Sequence, residues 1–289
     1  MIRFEQLQKS FRNTQVLKGL DLEINRGDRI ALVGSNGAGK TTMIRCLLGE
    51  YTHEGVVTVN GLDPRAHRGE VLGRIGFVPQ LPPPLKMGVG QLIDFAAQLC
   101  GSDPTRMKKI AELLGLDIGE LGNRPFVKLS GGEKQKLLIG IALGRDTDLL
   151  VMDEPAANLD PAARQVLFGL LAERREDVSM IISSHRLDEV AALVNRVVEL
   201  DRGRIVLDDH VDDQVDMASV LECLVTMADA NPAFAAAVEA WDFTPEGGGL
   251  QWRGLVAGPD RLRFLGMLSR YAGLLQGLEM IEVRRDEKL

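Results

Sequence analysis

Apolar runs that end in polar residues recur through the first 208 residues of this 289-residue chain. The clearest are RIALVG at 29–34, DLLVMDE at 148–154 and VSMIISSH at 178–185. Continuous apolar runs of this length are typical of strands buried on both faces of a parallel sheet. The first run is followed by a helix-like stretch, TTMIRCLLGE. Because strand patterns alternate with helix patterns, the sequence predicts an α/β core with a largely parallel sheet.

Shorter patterns add further strands to this part of the chain. Residues 1–30 indicate short strands, with the turn NRGD at 25–28 before the first apolar run. VVTVNG at 56–61 and IGFVPQ at 75–80 also favour strands. VVELDRGRIVL at 197–207 predicts a hairpin around its Asp-Arg-Gly turn.

Residues 81–128 have a different character. Three prolines open the segment, and the stretches GQLIDFAAQLC at 90–100 and MKKIAELLGL at 107–116 follow with helical spacing. We expect a mostly helical insertion here.

The charge distribution indicates a domain boundary near residue 208. The net charge is −7, and residues 209–289 carry all of it, with 14 acidic and 7 basic side chains. Residues 1–208 carry 27 of each sign. Neither part has the basic excess of a nucleic-acid-binding protein. We therefore predict a first domain at 1–208 and an accessory domain at 209–289.

The accessory segment has the element order βαββαβ, which favours a small α+β, ferredoxin-like domain. Strand-like stretches are SVLECLVTM, GLQWRGLVAG and GLEMIEVRR, and helix-like ones are NPAFAAAVEAW and PDRLRFLGMLSRYAGLL. The second strand falls on the weak stretch WDFTP at 241–245.

Composition excludes several classes of protein. No stretch reaches the roughly 18 apolar residues of a membrane span, and MIRFEQLQKS has no signal-peptide pattern. The three cysteines form no metal or disulfide pattern. We therefore expect a protein of the cytosol.

GSNGAGKT at 34–41 fits the phosphate-loop pattern G-x-x-x-x-G-K-[ST], between a strand and a helix as that pattern requires. Its glycines let backbone N–H groups approach phosphates, Lys40 supplies a positive charge, and Thr41 offers a hydroxyl to Mg²⁺. We expect a nucleotide to be held by Ser35, Asn36, Gly37, Ala38, Gly39, Lys40, Thr41 and Thr42.

Three side chains follow buried strands and should reach the same edge of the sheet. Asp153 can hold Mg²⁺ through water, and Glu154 can act as general base on an attacking water. His185 ends another apolar run and can reach the same crevice.

LSGGEKQK at 129–136 is a second phosphate-shaped turn. Ser130 and Glu133 form a capping-box pattern at a helix start, and the two glycines allow close approach to an exposed backbone. A second chain could present this helix start to the nucleotide from outside. Asp160 followed by Pro161 predicts another helix start, with the aspartate as N-cap.

Together these motifs resemble the nucleotide-binding subunit of an ATP-binding cassette (ABC) transporter, over about residues 1–208 and in the family's order. GSNGAGKT matches Walker A, LSGGE the signature motif and LLVMDE Walker B. Single positions match as well: Gln80 (Q-loop), Asp160 (D-loop), His185 (switch histidine) and Phe11, which stands where the family has an adenine-stacking aromatic residue, usually Tyr.

The resemblance implies a P-loop NTPase core with an antiparallel β subdomain and a helical subdomain at about 81–128. It implies ATP and Mg²⁺, with Thr41, Gln80 and Asp153 at the metal and with Glu154, His185 and Gln80 acting in catalysis. It also implies a head-to-tail dimer, for which we favour two identical chains. The partner's nucleotide would be bound by Ser130, Gly131, Gly132 and Asp160.

One position departs from the family. Glu133 stands where Gln is common, and a carboxylate facing a triphosphate would be repelled. We therefore predict that Glu133 turns back to its own helix start.

The resemblance also implies a separate membrane-spanning subunit that docks on the helical subdomain, with this chain peripheral at the cytoplasmic face. A single cassette with a small C-terminal domain resembles the ATPases of ABC-2 exporters. The alternative is a soluble ABC ATPase of a cytosolic assembly system, such as an iron–sulfur scaffold ATPase. We expect no nucleic-acid partner.

Overall fold

The computed structural model describes residues 1–184, 187–210, 220–257, 260–269 and 271–283. The chain divides into two compact units. The first is Met1–His185 with Leu193–Asp209, and the second is Arg186–Ala192 with His210–Leu289.

A six-stranded sheet forms the centre of the first unit. In spatial order its strands are β5 (Ile75–Val78), β6 (Leu149–Asp153), β7 (Ser179–Ser183), β3 (Arg29–Val33), β8 (Arg196–Asp201) and β9 (Arg204–His210). The first five are parallel to their neighbours, and every residue of β6 and β7 is buried. The predicted parallel α/β core is confirmed. The carboxyl ends of β3, β6 and β7 consequently meet at one edge.

A three-stranded antiparallel sheet lies in the same unit, in the order β2 (Thr14–Ile24), β1 (Ile2–Phe11), β4 (Glu54–Val59). The prediction of short strands at the N-terminus was wrong, since β1 and β2 are ten and eleven residues long. A bulge explains the error. The register shifts between Phe4 and Leu7, and Gln6 has a φ of 46° with its N–H bonded to Asp21. The bulge breaks the alternation that marks a continuous strand.

The described residues of the first unit form seven α-helices: α1 (Lys40–Leu47), α2 (Arg68–Gly73), α3 (Val89–Cys100), α4 (Pro104–Leu113), α5 (Ile118–Leu121), α6 (Gly131–Gly144) and α7 (Pro161–Ala172). Segment 81–128 holds α3, α4 and α5, and its Ile93, Met107 and Phe126 share a small core with Leu137 of α6. At Gly140, α6 approaches α4 so closely that a Cβ there would lie 2.8 Å from the Cβ of Ala111.

The second unit contains α8 (Leu187–Val190), β10 (Val220–Met227), α9 (Pro232–Glu239), β11 (Thr244–Glu246), β12 (Gln251–Ala257), α10 (Arg261–Ser269) and β13 (Leu275–Val283). From β10 onward the order is βαββαβ, and the antiparallel sheet runs β11-β12-β10-β13. This is the arrangement of a split βαβ fold. The second strand lies at 244–246 rather than 241–245, because Asp242 has a φ of 59° and Phe243 packs in the core.

In the described parts of the chain, no helix combines the length and the apolar character that crossing a membrane requires.

Candidate active site

The loop between β3 and α1 has a backbone that requires glycine. Gly34 has a φ of 145°, and a Cβ there would collide with the carbonyl of Leu200. Gly39 has a φ of 116°, and its Cβ would lie 2.7 Å from the Leu17 side chain. The loop thus turns sharply into α1, and the first N–H groups of that helix have no intrahelical acceptor. This geometry suits an anion.

The loop borders a cavity of about 500 Å³. Its lining residues come from the loop, the β1–β2 hairpin and the ends of β5 and β6: Phe11, Val16, Ser35, Asn36, Gly37, Ala38, Gly39, Lys40, Thr41, Thr42, Gln80 and Glu154. The structure therefore brings the predicted loop residues together with Phe11, Gln80 and Glu154. Val16 was not predicted, and an apolar residue within a strand gave no local signal.

Lys40 is buried at the base of this cavity. Its Nζ donates to the carbonyls of Gly34 and Ser35, at 2.6 and 3.3 Å. Burial lowers the pKa of the Lys40 ammonium, while the nearby carboxylates of Glu154 and Asp153 act to raise it. The side chain is thus positioned against the loop, where a phosphate could replace the carbonyls as its partner.

Asp153 lies behind the loop at the end of β6, only 2% exposed. Its Oδ2 accepts from the hydroxyl of Thr41 at 2.8 Å, and its Oδ1 accepts from the hydroxyl of Ser183 at 2.6 Å. Ser183 was not predicted. The only signal was a polar residue near the end of an apolar run. The Ser183 hydroxyl orients the Asp153 carboxylate, which also bonds to Thr41 of the phosphate loop.

Glu154 follows directly and has a φ of 50°, an uncommon conformation for a residue with a side chain. Its N–H donates to both the carbonyl and the hydroxyl of Ser183, at 3.2 and 3.0 Å. These bonds stabilise a strained backbone that brings the carboxylate into the cavity.

Comparison with known proteins identifies the family. A family model described as ABC transporter matches residues 17–157. The Nod factor export ATP-binding protein I of Cupriavidus pinatubonensis is 31% identical over 224 residues, which cover 75% of this chain and 68% of that protein. The chain belongs to the ABC transporter family of ATP-binding proteins.

Other relatives cover the same part of the chain. The ribose import ATP-binding protein RbsA of Burkholderia mallei is 33% identical over 233 residues, 76% of this chain and 45% of that protein. Three further relatives are matched over 27%, 61% and 42% of their length. The chain thus spans less than two thirds of these longer relatives. A solved ATP-binding cassette, dimeric and bound to ADP and Pi, superimposes with a TM-score of 0.64 at 20% identity, covering 73% of this chain and 98% of that one.

LSGGE at 129–133, the predicted signature motif, lies at the start of α6. The predicted capping box is present: the Ser130 N–H donates to Glu133 Oε2 at 2.7 Å, and the Glu133 N–H donates to Ser130 Oγ at 3.2 Å. The first of these bonds holds the pKa of Glu133 below its ordinary value. Glu133 therefore turns back to its own helix start, as predicted. The described residues that line the cavity do not include Ser130, Gly131 or Gly132.

Asp160, the predicted D-loop residue, is the N-cap of α7, and its side chain accepts from the N–H of Ala163 at 2.9 Å. It also pairs with Lys136 of α6 at 2.7 Å, which lowers its pKa. Like the signature residues, it is not among the described residues that line the cavity. The ion pair links the start of α7 to α6. His185 lies outside the described residues.

Proposed function

We propose that this protein binds Mg-ATP in the cavity and hydrolyses it to drive a separate membrane-spanning subunit. The observation that carries the proposal is the convergence of a glycine-dependent anion loop, a buried lysine and two carboxylates within one cavity and its wall. Substrate phosphates would bind to the N–H groups at the start of α1 and to Lys40.

The residues around Asp153 suit Mg²⁺, because hydroxyl, carboxylate and amide oxygens are the ligands that this ion prefers. Thr41 and Gln80 would hold it directly, with Asp153 bound through water. When bound, the ion would neutralise charge on the β- and γ-phosphates.

Hydrolysis needs a base for the attacking water, and Glu154 lies at the cavity with its backbone fixed by Ser183. Its carboxylate would accept the water proton as the water oxygen bonds to the γ-phosphorus and the bond to the β-phosphate oxygen breaks. Phe11 would stack on the adenine, and His185 would contact the γ-phosphate.

A second copy of the chain would complete the site. Gly131 and Gly132 lie in the first turn of α6, where N–H groups have no intrahelical acceptor, and Glu133 is bonded to its own helix start. The partner's γ-phosphate could therefore meet Ser130, Gly131 and Gly132 without facing a carboxylate. A solved cassette with the same fold, 20% identical to this chain, is itself dimeric.

The helical segment 81–128 would bind the membrane-spanning subunit. Phe95 and Leu99 are 50% and 73% exposed on α3, and their spacing of four places them on one helix face. Leu81 and Leu113 are exposed in the same segment. Large exposed apolar side chains in one segment favour a protein partner.

We propose export, since a small C-terminal domain follows a single cassette. This chain would then be peripheral at the cytoplasmic face.

Capture of the partner tests the proposal. Tagged Glu154→Gln protein, which should bind ATP without turning it over, is purified with Mg-ATP from detergent-solubilised membranes of the source organism. We expect membrane-spanning proteins to co-purify, and Leu99→Glu to abolish their capture. Val206→Glu is the matched control, since Val206 is 58% exposed on β9 of the same unit. Capture of soluble proteins alone would contradict transport and favour the cytosolic assembly alternative.

A further inference from the structure

Phe11 lines the cavity from the tip of the β1–β2 hairpin. It pairs with Thr14 at the end of a hairpin whose turn, Arg12–Asn13, has two residues. The residue is 40% exposed. A phenylalanine at such a tip samples several rotamers unless neighbours restrict it.

Two side chains restrict this ring. Tyr51 meets it edge-on, with 5.2 Å between ring centroids and an angle of 80° between ring planes. The Nζ of Lys9 lies 4.8 Å from the Phe11 centroid and 5.6 Å from the Tyr51 centroid, and it donates to the Thr52 hydroxyl at 3.2 Å. These distances are in the range of favourable aromatic pairs and cation–π contacts.

Tyr51 is in turn tied to the helix that begins at the phosphate loop. The N–H groups of Glu50 and Tyr51 both donate to the carbonyl of Arg45, at 2.9 and 3.4 Å, and the Arg45 guanidinium carbon lies 5.6 Å from the Tyr51 ring. Helix α1 has eight residues, a length of about 12 Å. One helix therefore carries Lys40 of the phosphate loop at its start and the support of Phe11 just beyond its end.

We propose that Tyr51, together with Lys9, is a positioning residue that holds Phe11 as the platform for the nucleotide base. This inference rests on the proposed function, because it takes ATP to be the ligand of the cavity. Tyr51 acts through Phe11, since it is not among the described residues that line the cavity. A ring already held in place stacks on a base without first losing rotamer freedom, so the support increases affinity for the base alone.

The test compares ATP with inorganic tripolyphosphate, which has the phosphates but no base. The Tyr51→Leu variant should raise the KM for Mg-ATP about two- to twelvefold, the range expected for one aromatic pair. Its kcat and its Kd for tripolyphosphate should equal those of the wild type. The Tyr51→Phe variant keeps the ring and should restore the wild-type KM. The Lys9→Met variant leaves Tyr51 in place and should raise KM about two- to fivefold.

Specific outcomes would overturn the proposal. If Phe11→Ala raises KM while Tyr51→Leu and Lys9→Met do not, Phe11 needs no support, and the proposed function stands without this inference. If Tyr51→Leu weakens tripolyphosphate binding as much as ATP binding, the residue acts on the phosphate loop and not on the base. A wild-type chain that neither binds nor hydrolyses Mg-ATP would overturn the proposed function itself.

Discussion

Replacing Ser183 with alanine removes one hydroxyl, which hydrogen-bonds to both Asp153 and Glu154. Its Oγ donates to Asp153 at 2.6 Å and accepts from the N–H of Glu154 at 3.0 Å. Ser183 and Asp153 are 0% and 2% exposed, so water cannot replace the lost bond. The Glu154 N–H keeps the Ser183 carbonyl as a partner at 3.2 Å. The main loss is thus one donor to a buried carboxylate, about 1.5–3 kcal/mol of unfolding free energy.

The same substitution should weaken the use of Mg²⁺. Partners that orient a metal-binding carboxylate contribute about ten- to a hundredfold to metal affinity or activity. We expect the Mg²⁺ concentration for half-maximal ATPase activity to rise about tenfold in Ser183→Ala. Urea unfolding measures the stability change, and ATPase assays over a MgCl₂ series measure the metal requirement.

Ser179→Ala is the matched control. Ser179 is also 0% exposed, at the other end of β7, but its hydroxyl bonds to neutral backbone groups of Gly27 and Asn25. Its loss should cost about 1 kcal/mol and leave the Mg²⁺ requirement unchanged. Equal costs for the two variants, or an unchanged Mg²⁺ requirement in Ser183→Ala, would refute the role given to this hydroxyl.

Four further substitutions test other contacts. A hydrogen bond from the Ser130 N–H lowers the pKa of Glu133, so its stabilisation is present above the ordinary glutamate pKa and is lost as pH falls through the lowered value. Glu133→Gln should therefore cost about 0.5–1 kcal/mol at pH 7 in urea unfolding, and progressively less as the pH falls below the ordinary glutamate pKa. Gly140→Ala should lower the free energy of unfolding by about 1–3 kcal/mol, because the new Cβ would lie 3.0 Å from a carbonyl of α4. Gly169→Ala, on the open face of α7, should raise the free energy of unfolding by about 0.5–1 kcal/mol. A higher melting temperature for Gly140→Ala than for Gly169→Ala would contradict this reasoning. Arg196 is 6% exposed and bonds to two carboxylates, so Arg196→Met should cost about 3 kcal/mol, and a loss below about 1 kcal/mol would show that these pairs contribute little.

The parts of the site that could be predicted from sequence depend on residues close together in the chain. The phosphate loop is eight consecutive residues between a strand and a helix, and the capping box of Ser130 and Glu133 spans four. Apolar runs such as 149–153 are long enough to distinguish a strand buried on both faces. These local patterns led to the correct fold class.

Several contacts between distant segments were not predicted. Ser183 and Asp153 are 30 residues apart, and Phe11 and Tyr51 are 40 apart, so no spacing rule connects them. The bulge at Gln6 also depends on a distant partner, Asp21, and it hid the length of the first strands. In each case tertiary packing, and not local propensity, decides the structure.

The central claim is that ATP binds between two copies of the chain, with the signature helix of one completing the cavity of the other. The most direct test is the molar mass of Glu154→Gln by light scattering, with and without Mg-ATP. A second variant adds Gly131→Asp, because a Cβ at Gly131 meets nothing within 4 Å and an acid in the first turn of a helix does not destabilise it. Gly131→Asn is its uncharged control. We expect Mg-ATP to double the mass of Glu154→Gln and of the Asn variant but to leave the Asp variant monomeric. A mass that does not change with ATP, or an Asp variant that dimerises as well as the Asn variant, would contradict the account.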